Sequence, residues 1–429
     1  MNVLLHWYRT DLRIQDHFAL AQAADNGWSV LPVYFLPEEE TFPLSGLPRK
    51  GKFRKQFLYQ TLQDLSNSWK QQGTELLIFS GKAEEILPQI CSKYAIQQLS
   101  FTADCASEEM AQEIEVSHAL KDLNVTIYKA FDDFLMHPED LFCSIHEVPN
   151  VFTQFRQQCE SNWHIRAPFK YGSPVGFSHL EKGILIEKLV SENRLIPDSR
   201  TAFPFSGGEH AALQRIEDYF FLSQQMLRYK ETRNGLIGAD YSTKFSPWLA
   251  NGSVSPRTIY AQLKSLEEKL GANKSTYWLQ FELLWRDYFR YMLLKFGAKL
   301  FFKNGLGIYH PPREMVQSET DFQNWINGNT GNNWVDANMQ ELALTGFMSN
   351  RGRQNVASYL VHQLKLDWRL GAEYFESQLI DYDPANNWGN WAYLAGVGND
   401  PRQRVFNMQK QAEQYDTEGE FRNRWSRSE

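Results

Sequence analysis

Five short apolar runs mark the first 130 residues: Val3 to Tyr8, Val30 to Leu36, Glu75 to Phe79, Gln98 to Thr102 and Val125 to Tyr128. Longer amphipathic stretches separate them. Strand-length runs alternating with helical periods predict an α/β doubly wound parallel sheet, because parallel neighbours need a crossover long enough to hold a helix. No G-x-G-x-x-G and no G-x-x-x-x-G-K-[ST] follows any of these runs, so this half is not predicted to cradle a dinucleotide or triphosphate. From 131 to 208 the periodicity lapses and Pro138, Pro149, Pro168, Pro174, Pro197, Pro204, Gly207 and Gly208 accumulate. That pattern predicts a long connection with short helices. Beyond Gly208 the spacing turns helical, over Ala211 to Lys230, Pro256 to Leu270, Thr276 to Phe296, Ser318 to Asn327, Val335 to Leu344, Arg353 to Leu364 and Trp368 to Ile380. The expected organisation is a sheet domain over 1–130, a linker over 131–208 and an all-α domain over 209–429.

A chain of 429 residues exceeds what one hydrophobic core usually organises, which agrees with two domains. Nine of the 13 tryptophans follow Asp240, so ring surface concentrates in the helical half. That asymmetry fits either an aromatic-rich core or a stacking site. A formal charge of −7 argues against non-specific coating of nucleic acid but leaves room for a local basic patch. Cys91, Cys105, Cys143 and Cys159 show no C-x-x-C spacing, so neither a disulfide framework nor a cysteine metal site is expected. The start, MNVLLHWYRTDLR, lacks the basic and apolar regions of an export signal, and no later run approaches membrane-spanning length; a cytoplasmic protein is expected.

Polar residues sit inside otherwise core-like helical sequence. Between Thr345 and Arg402, Asn350, Arg351, Arg353, Asp381, Asp383, Asn386 and Asn387 lie among Phe347, Tyr359, Trp368, Tyr374, Phe375, Trp388, Trp391 and Tyr393. Buried polar side chains are costly unless satisfied, so a flat ligand with a polar edge is expected there. Tyr241-Ser242-Thr243-Lys244-Phe245-Ser246-Pro247 offers hydroxyls, backbone N–H groups and a Lys, which suits a phosphate, although such runs more commonly cap helices. Glu282, Trp285, Arg286 and Arg290 fall on one side of a predicted helix. They read either as a solvated salt-bridged face or as a carboxylate and ring that hold a base. Asp381 and Asp383 lack a third ligand at metal spacing; pairing of Asp381 with Arg353 is the better use, and no metal is expected.

These pieces, in this order, resemble the photolyase/cryptochrome family, and most closely its DASH-type cryptochromes. The resemblance runs nearly end to end, through HWYRTDLRIQDHFAL (6–20), YKETRNGLIGADYSTKFSPWLANGSVSPR (229–257), FELLWRDYFRYM (281–292), TGFMSNRGRQNVASYLV (345–361) and NNWGNWAYLAGVGNDPR (386–402). It implies an α/β antenna domain and a helical domain holding FAD. By resemblance, Tyr229 and Ser242, Thr243, Lys244, Phe245 and Ser246 match contacts to the FAD phosphates, and Arg286, Asn350 and Tyr382 also match the FAD site. Arg353 and Asp381 match an ion pair beside the flavin, Asp383 the carboxylate at the flavin ring and ribose, and Asn387 the side chain at flavin N5. The resemblance also implies that Glu282 hydrogen-bonds a cyclobutane pyrimidine dimer, that Trp285 and Tyr393 sandwich it, and that Asn350 lies near both ligands. Arg233 and Arg351 would then touch flanking phosphates. Tyr393 and Gln354, where duplex-repairing relatives carry Trp and Met, imply a less apolar slot and a preference for single-stranded DNA, where flipping is already mostly done.

Several positions depart from the family. Trp391 and Trp368 match the first two members of the photoreduction relay, but by spacing from Trp325 the third falls at Met315; Tyr309 and Trp334 are the candidate replacements. A methenyltetrahydrofolate antenna would use Asp104, one methylene shorter than the family's Glu, which lengthens the required hydrogen bond. Gly331-Asn332-Asn333-Trp334-Val335-Asp336 replaces the usual Pro-aromatic-Val-Asp, with no account at the level of sequence. The activity implied is a carbon–carbon lyase, a monomer acting on dimer-containing DNA under blue light. A blue-light receptor with little repair activity is the rival; the chain ends soon after Trp425, without the long tail of many signalling cryptochromes. A dark redox flavoprotein is disfavoured, since no nicotinamide motif is present. Paired histidines typical of (6-4) photoproduct enzymes are absent from Asn350 to Gln354.

Overall fold

The structure, a computed structural model, describes residues 2–179, 181–308, 315–400, 402 and 404–426. Its first part alternates β1 (Val3–Tyr8), α1 (Phe18–Asp25), β2 (Ser29–Leu36), α2 (Lys52–Gln71), β3 (Leu77–Ser80), α3 (Ala83–Lys93), β4 (Gln98–Thr102), α4 (Ser107–Ala119) and β5 (Thr126–Ala130). All pairings are parallel, in the order β3-β2-β1-β4-β5. The six residues of β1 are all buried, as expected of a strand covered on both faces. The doubly wound parallel sheet is therefore the one expected from sequence.

The connection that follows is more structured than its Pro and Gly content suggested. It holds α5 (Phe152–Ser161), β6 (Val175–Gly176) and α6 (Ile186–Glu192), and β6 adds to the sheet beside Ser29 and Val30 of β2. A two-residue strand carries no periodicity that sequence could reveal.

The helical half comprises α7 (Glu209–Ile216), α8 (Tyr229–Thr232), α9 (Ser246–Ala250), α10 (Pro256–Leu270), α11 (Lys274–Phe296), α12 (Glu319–Ile326), α13 (Asn333–Thr345), α14 (Asn350–Ser358), α15 (Trp368–Gln378), α16 (Pro384–Ala395), α17 (Met408–Tyr415) and α18 (Glu420–Arg424). Two expectations fail here. The single helix over Ala211 to Lys230 is broken by a wide π turn at Glu217–Leu222 and by Gln224, which adopts a left-handed φ of 53°. The helix α16 has no counterpart in the apolar pattern, because its polar Asn386 and Asn387 break the stripe; its signals are Asp383 capping the Asn386 N–H, Pro384 in the first turn and left-handed Gly396 at the end. The unusual Gly331 to Asp336 segment starts α13: the Asn332 side chain accepts from the Val335 N–H, and Asp336 gathers the Thr330 N–H and hydroxyl and the Gly331 N–H. No helix among the described residues is long and apolar enough to cross a membrane.

The DLRIQD stretch after β1 fastens the two halves. Arg13 is buried and donates to the carbonyls of Asp16, Asp132 and Gly252, while Asp16 and Asp132 both pair with Arg257 of α10 at 2.9 and 3.1 Å. At Gly252 a Cβ would stand 1.8 Å from the Thr10 carbonyl oxygen, so only glycine lets these backbones meet. Beside this junction Asp11 accepts from His6, His17 and Thr102 at 3.1, 3.1 and 2.7 Å. Those three hydrogen bonds account for the one group of metal-ligand type gathered among the described residues, His6, Asp11 and His17.

Candidate functional site

A cavity of about 650 Å3 opens between α8 to α11 on one side and α14 to α16 on the other. Its walls bring together residues from 229 to 406, including Tyr229, Arg233, Ser242 to Ser246, Glu282, Trp285, Arg286, Asn350, Arg351, Arg353, Gln354, Asp381 to Asp383, Asn387, Trp391 and Tyr393. The long helix α11 supplies Glu282, Trp285 and Arg286 from successive turns, which settles that face as cavity wall and not solvated surface.

The loop before α9 is held by a residue the sequence did not single out. Arg215 is buried and donates to the carbonyls of Ala239, Ser242 and Thr243 at 3.2, 3.1 and 3.1 Å, which occupies the loop's acceptors from behind. Nothing in local spacing links Arg215 to a loop 25 residues on. Within the loop Lys244 has a left-handed φ of 64°, a costly conformation for a residue with a Cβ. Its ammonium is buried without a hydrogen-bond partner and rests 3.1 Å from the centre of the Tyr241 ring. Burial holds the Lys244 pKa well below the ordinary lysine range, against the opposing pull of Glu341. Glu341, behind the loop, is pushed up by burial to about 8, with Lys244 and Arg353 opposing.

Opposite the loop, Arg353 pairs with Asp381 at 2.8 Å, and the Ser246 hydroxyl donates to the same oxygen at 2.6 Å. Asp383 spends one oxygen on the Asn386 N–H and amide and the other on Arg290 at 2.7 Å. Burial alone would raise its pKa, but Arg290 and Arg286 hold it below the usual carboxylate range. Among the described residues Oδ2 carries only Arg290, so a ligand that donates to Asp383 would share it with the protein. Arg286 and Arg290 reach Asp133 at 2.6 and 2.9 Å, so this wall is anchored to the linker. The Asn387 amide donates to the Ala372 carbonyl at 3.0 Å, which fixes its orientation and leaves its oxygen as acceptor.

At the other end Glu282 is paired with Arg233, two residues to which sequence gave separate partners. Burial raises the Glu282 pKa, with Arg233 opposing. Trp285 and Tyr393 meet edge to face, centroids 6.2 Å apart at 87°, and Phe152 of α5 already stacks on Trp285 at 3.6 Å. The expected sandwich is therefore a right-angled corner. Arg351 donates to Gln354 and Asn234 at 2.8 and 3.2 Å and lies over the Tyr415 ring, so its guanidinium is shared with the wall.

Of the remaining expectations, Trp391 lines the cavity while Asp104, Trp368 and Trp334 do not. One oxygen of Asp104 accepts from the N–H groups of Cys105 and Ala106 at 2.7 and 3.3 Å, which fixes the carboxylate at the start of α4. The Trp391 indole fits against Gly371, where a Cβ would come within 2.2 Å of the ring, and Trp368 packs edge to face on Trp388 at 5.7 Å. Trp334 is 1% exposed and cannot serve as a surface electron donor. Tyr309 lies outside the described residues.

The cavity is incomplete as it stands: the Tyr241 hydroxyl, the Lys244 ammonium and one Asp381 oxygen are buried without partners. Each such group costs on the order of 1–3 kcal/mol, and a ligand carrying both acceptors and donors would answer them. These features define an α/β plus α protein whose helical half is built around a large polar and aromatic ligand cavity. Residues 278–427 match the FAD binding domain of DNA photolyase, and residues 4–173 match the DNA photolyase domain. Cryptochrome DASH of Synechocystis sp. is 43% identical, covering 98% of this chain and 87% of its own. The crystal structure of Synechocystis sp. PCC6803 cryptochrome superposes with a TM-score of 0.94 at 42% identity, covering 99% and 88%. A class III photolyase from Agrobacterium tumefaciens gives 0.84 at 27% identity, covering 99% and 86%. The chain belongs to the photolyase/cryptochrome family, in its cryptochrome DASH branch, and its helical half is an FAD-binding domain.

Proposed function

We propose that this protein repairs cyclobutane pyrimidine dimers under blue light, preferentially in single-stranded DNA. The observation that carries this reading is that Glu282 and the Trp285–Tyr393 corner line the same cavity as the Ser242 to Ser246 loop and Asn387. The residues fit FAD. Lys244, Tyr241 and the loop N–H groups would hold its phosphates, Arg353 and Asp381 would flank the flavin, and Asn387 would face N5. Bound in reduced form, FAD supplies the light-driven electron that opens the cyclobutane ring.

The protein's own residues do the rest. The corner of Trp285 and Tyr393 gives an extruded dimer two aromatic faces at right angles, which suits a puckered lesion better than a flat base. Glu282, its pKa raised by burial against the pull of Arg233, lies where it would hydrogen-bond the dimer, and Arg233 beside it would stabilise negative charge that develops there. Asn387, pinned by Ala372, presents a neutral acceptor. A folate antenna, held by the second oxygen of Asp104, belongs to the same proposal.

The test is illumination of the reduced protein with dimer-containing oligonucleotides, single-stranded and duplex, beside Glu282→Gln. Dimers should disappear faster from single strands, and the variant should lose about three- to tenfold in yield, the size of one ordinary hydrogen bond. Dimers left intact in both substrates would favour a photoreceptor role instead.

A further inference from the structure

A second hollow, of about 200 Å3, lies against α11 on the far side of Phe281 from the main cavity. Trp163, Tyr260, Tyr277 and Phe281 wall it, with Glu160 and Lys264 at its polar edge. Phe281 lines both spaces and forms the partition between them. The helical period explains the division: Trp278, Glu282 and Trp285 border the main cavity, Tyr277, Gln280 and Leu284 border the second, and Phe281 falls between.

We propose that this hollow is a nucleobase subsite, filled by a base flanking the dimer when single-stranded DNA is bound; the inference rests on the functional reading above. The aromatic rings are secured at their polar ends. The Trp163 indole N–H donates to the Tyr260 hydroxyl at 2.9 Å, and the Tyr277 hydroxyl donates to Glu160 at 2.6 Å while accepting from Arg156 at 2.7 Å. Held this way, Tyr277 is still 40% exposed and presents ring surface for stacking. Cations accompany the rings: Arg156 lies over Phe281 at 5.8 Å, and Lys264 over Tyr260 at 5.0 Å. Aromatic faces for bases with cations alongside for phosphates are the elements of single-strand recognition.

The subsite also bears on substrate choice. Occupying it from a duplex requires a second base to leave the stack beside the dimer, a further cost that a single strand does not bear. Glu160 accepts hydrogen bonds when ionised, so the edge favours bases with an exocyclic amino group over thymine.

The experiment measures binding by the FAD-loaded protein in the dark, using fluorescence anisotropy of the cyclobutane dimer dinucleotide and of a single-stranded heptanucleotide carrying the same dimer. Tyr277→Ala should weaken heptanucleotide binding about tenfold, the loss of one base stack, while leaving dinucleotide affinity and FAD content unchanged. Tyr277→Phe should keep the parent's affinity, since it keeps the ring. A 2-aminopurine placed next to the dimer should be quenched on one side only, and released from quenching by Tyr277→Ala. Equal heptanucleotide affinity for parent and Tyr277→Ala overturns the subsite, as does an equal loss on the dinucleotide. Failure of the parent to bind either ligand overturns the functional reading and the subsite together.

Discussion

Two buried polar assemblies in this protein use the same residue types and end differently. At the junction of sheet and helices, Asp16 accepts from Arg257, Ser255 and the Phe169 N–H, and Asp132 accepts from Arg257 and the Phe18 N–H. At the main cavity, Lys244, Tyr241 and Asp381 each keep a buried atom without a partner. A closed set of charges is a fastening, since every group it buries is answered from within the chain. An open set at a cavity wall is the imprint of a ligand. Both contain acidic and basic residues well inside the protein, so burial and charge alone do not separate a structural cluster from a functional one.

The comparison breaks most visibly at the junction. Arg257→Ala leaves Asp16 and Asp132 buried and short of their counter-charge, and should cost about 3–5 kcal/mol in denaturant unfolding, with and without FAD alike. Lys244→Met should act with the opposite sign on the two forms. Removing an unpartnered ammonium should stabilise the cofactor-free protein by about 1–3 kcal/mol and weaken FAD binding about tenfold or more, read by calorimetry and by unfolding with and without FAD. A pH series sharpens the contrast further. Glu341 has a folded pKa of about 8 against 4.5 unfolded, so its contribution to stability is full below pH 4.5 and is lost as pH rises through 8. Glu341→Gln lacks that loss and should gain stability relative to the parent across this window, which parallel urea titrations at pH 5, 6, 7 and 8 would detect (~1 kcal/mol or more over the range). Smallest of all, Trp334→Phe should leave the photoreduction rate of bound FAD unchanged, because Trp334 packs against Phe421 in the core with 1% of its surface exposed.

Much of the site was legible before any coordinates. The hydroxyl and lysine run at 242–246, the acid and ring on α11, and the polar residues inside core-like sequence after Thr345 all converge on one cavity. What escaped were relations between distant segments. Arg233 neutralises Glu282 and Arg290 ties Asp383 to Asp133, partners that spacing did not reveal, while Arg215, which holds the cofactor loop, looks like an ordinary helical Arg in sequence. Trp334 was misjudged for the same reason: residue type was visible, but burial was not. The helix α16 was missed because Asn386, Asn387 and Asn390 interrupt its apolar stripe, although Asn387 is the only polar one among its buried residues.

By itself the sequence determined the alternation of strand and helix periods, hence a parallel sheet followed by a helical half, since periodicity is local and repeats every few residues. It also determined which residues could do chemistry. Only the tertiary structure decided which buried charges answer one another and which remain open, that Trp285 and Tyr393 form a corner, and that Phe281 divides two cavities. Those facts depend on the distances and angles between side chains brought together from remote parts of the chain, and no local pattern carries that information.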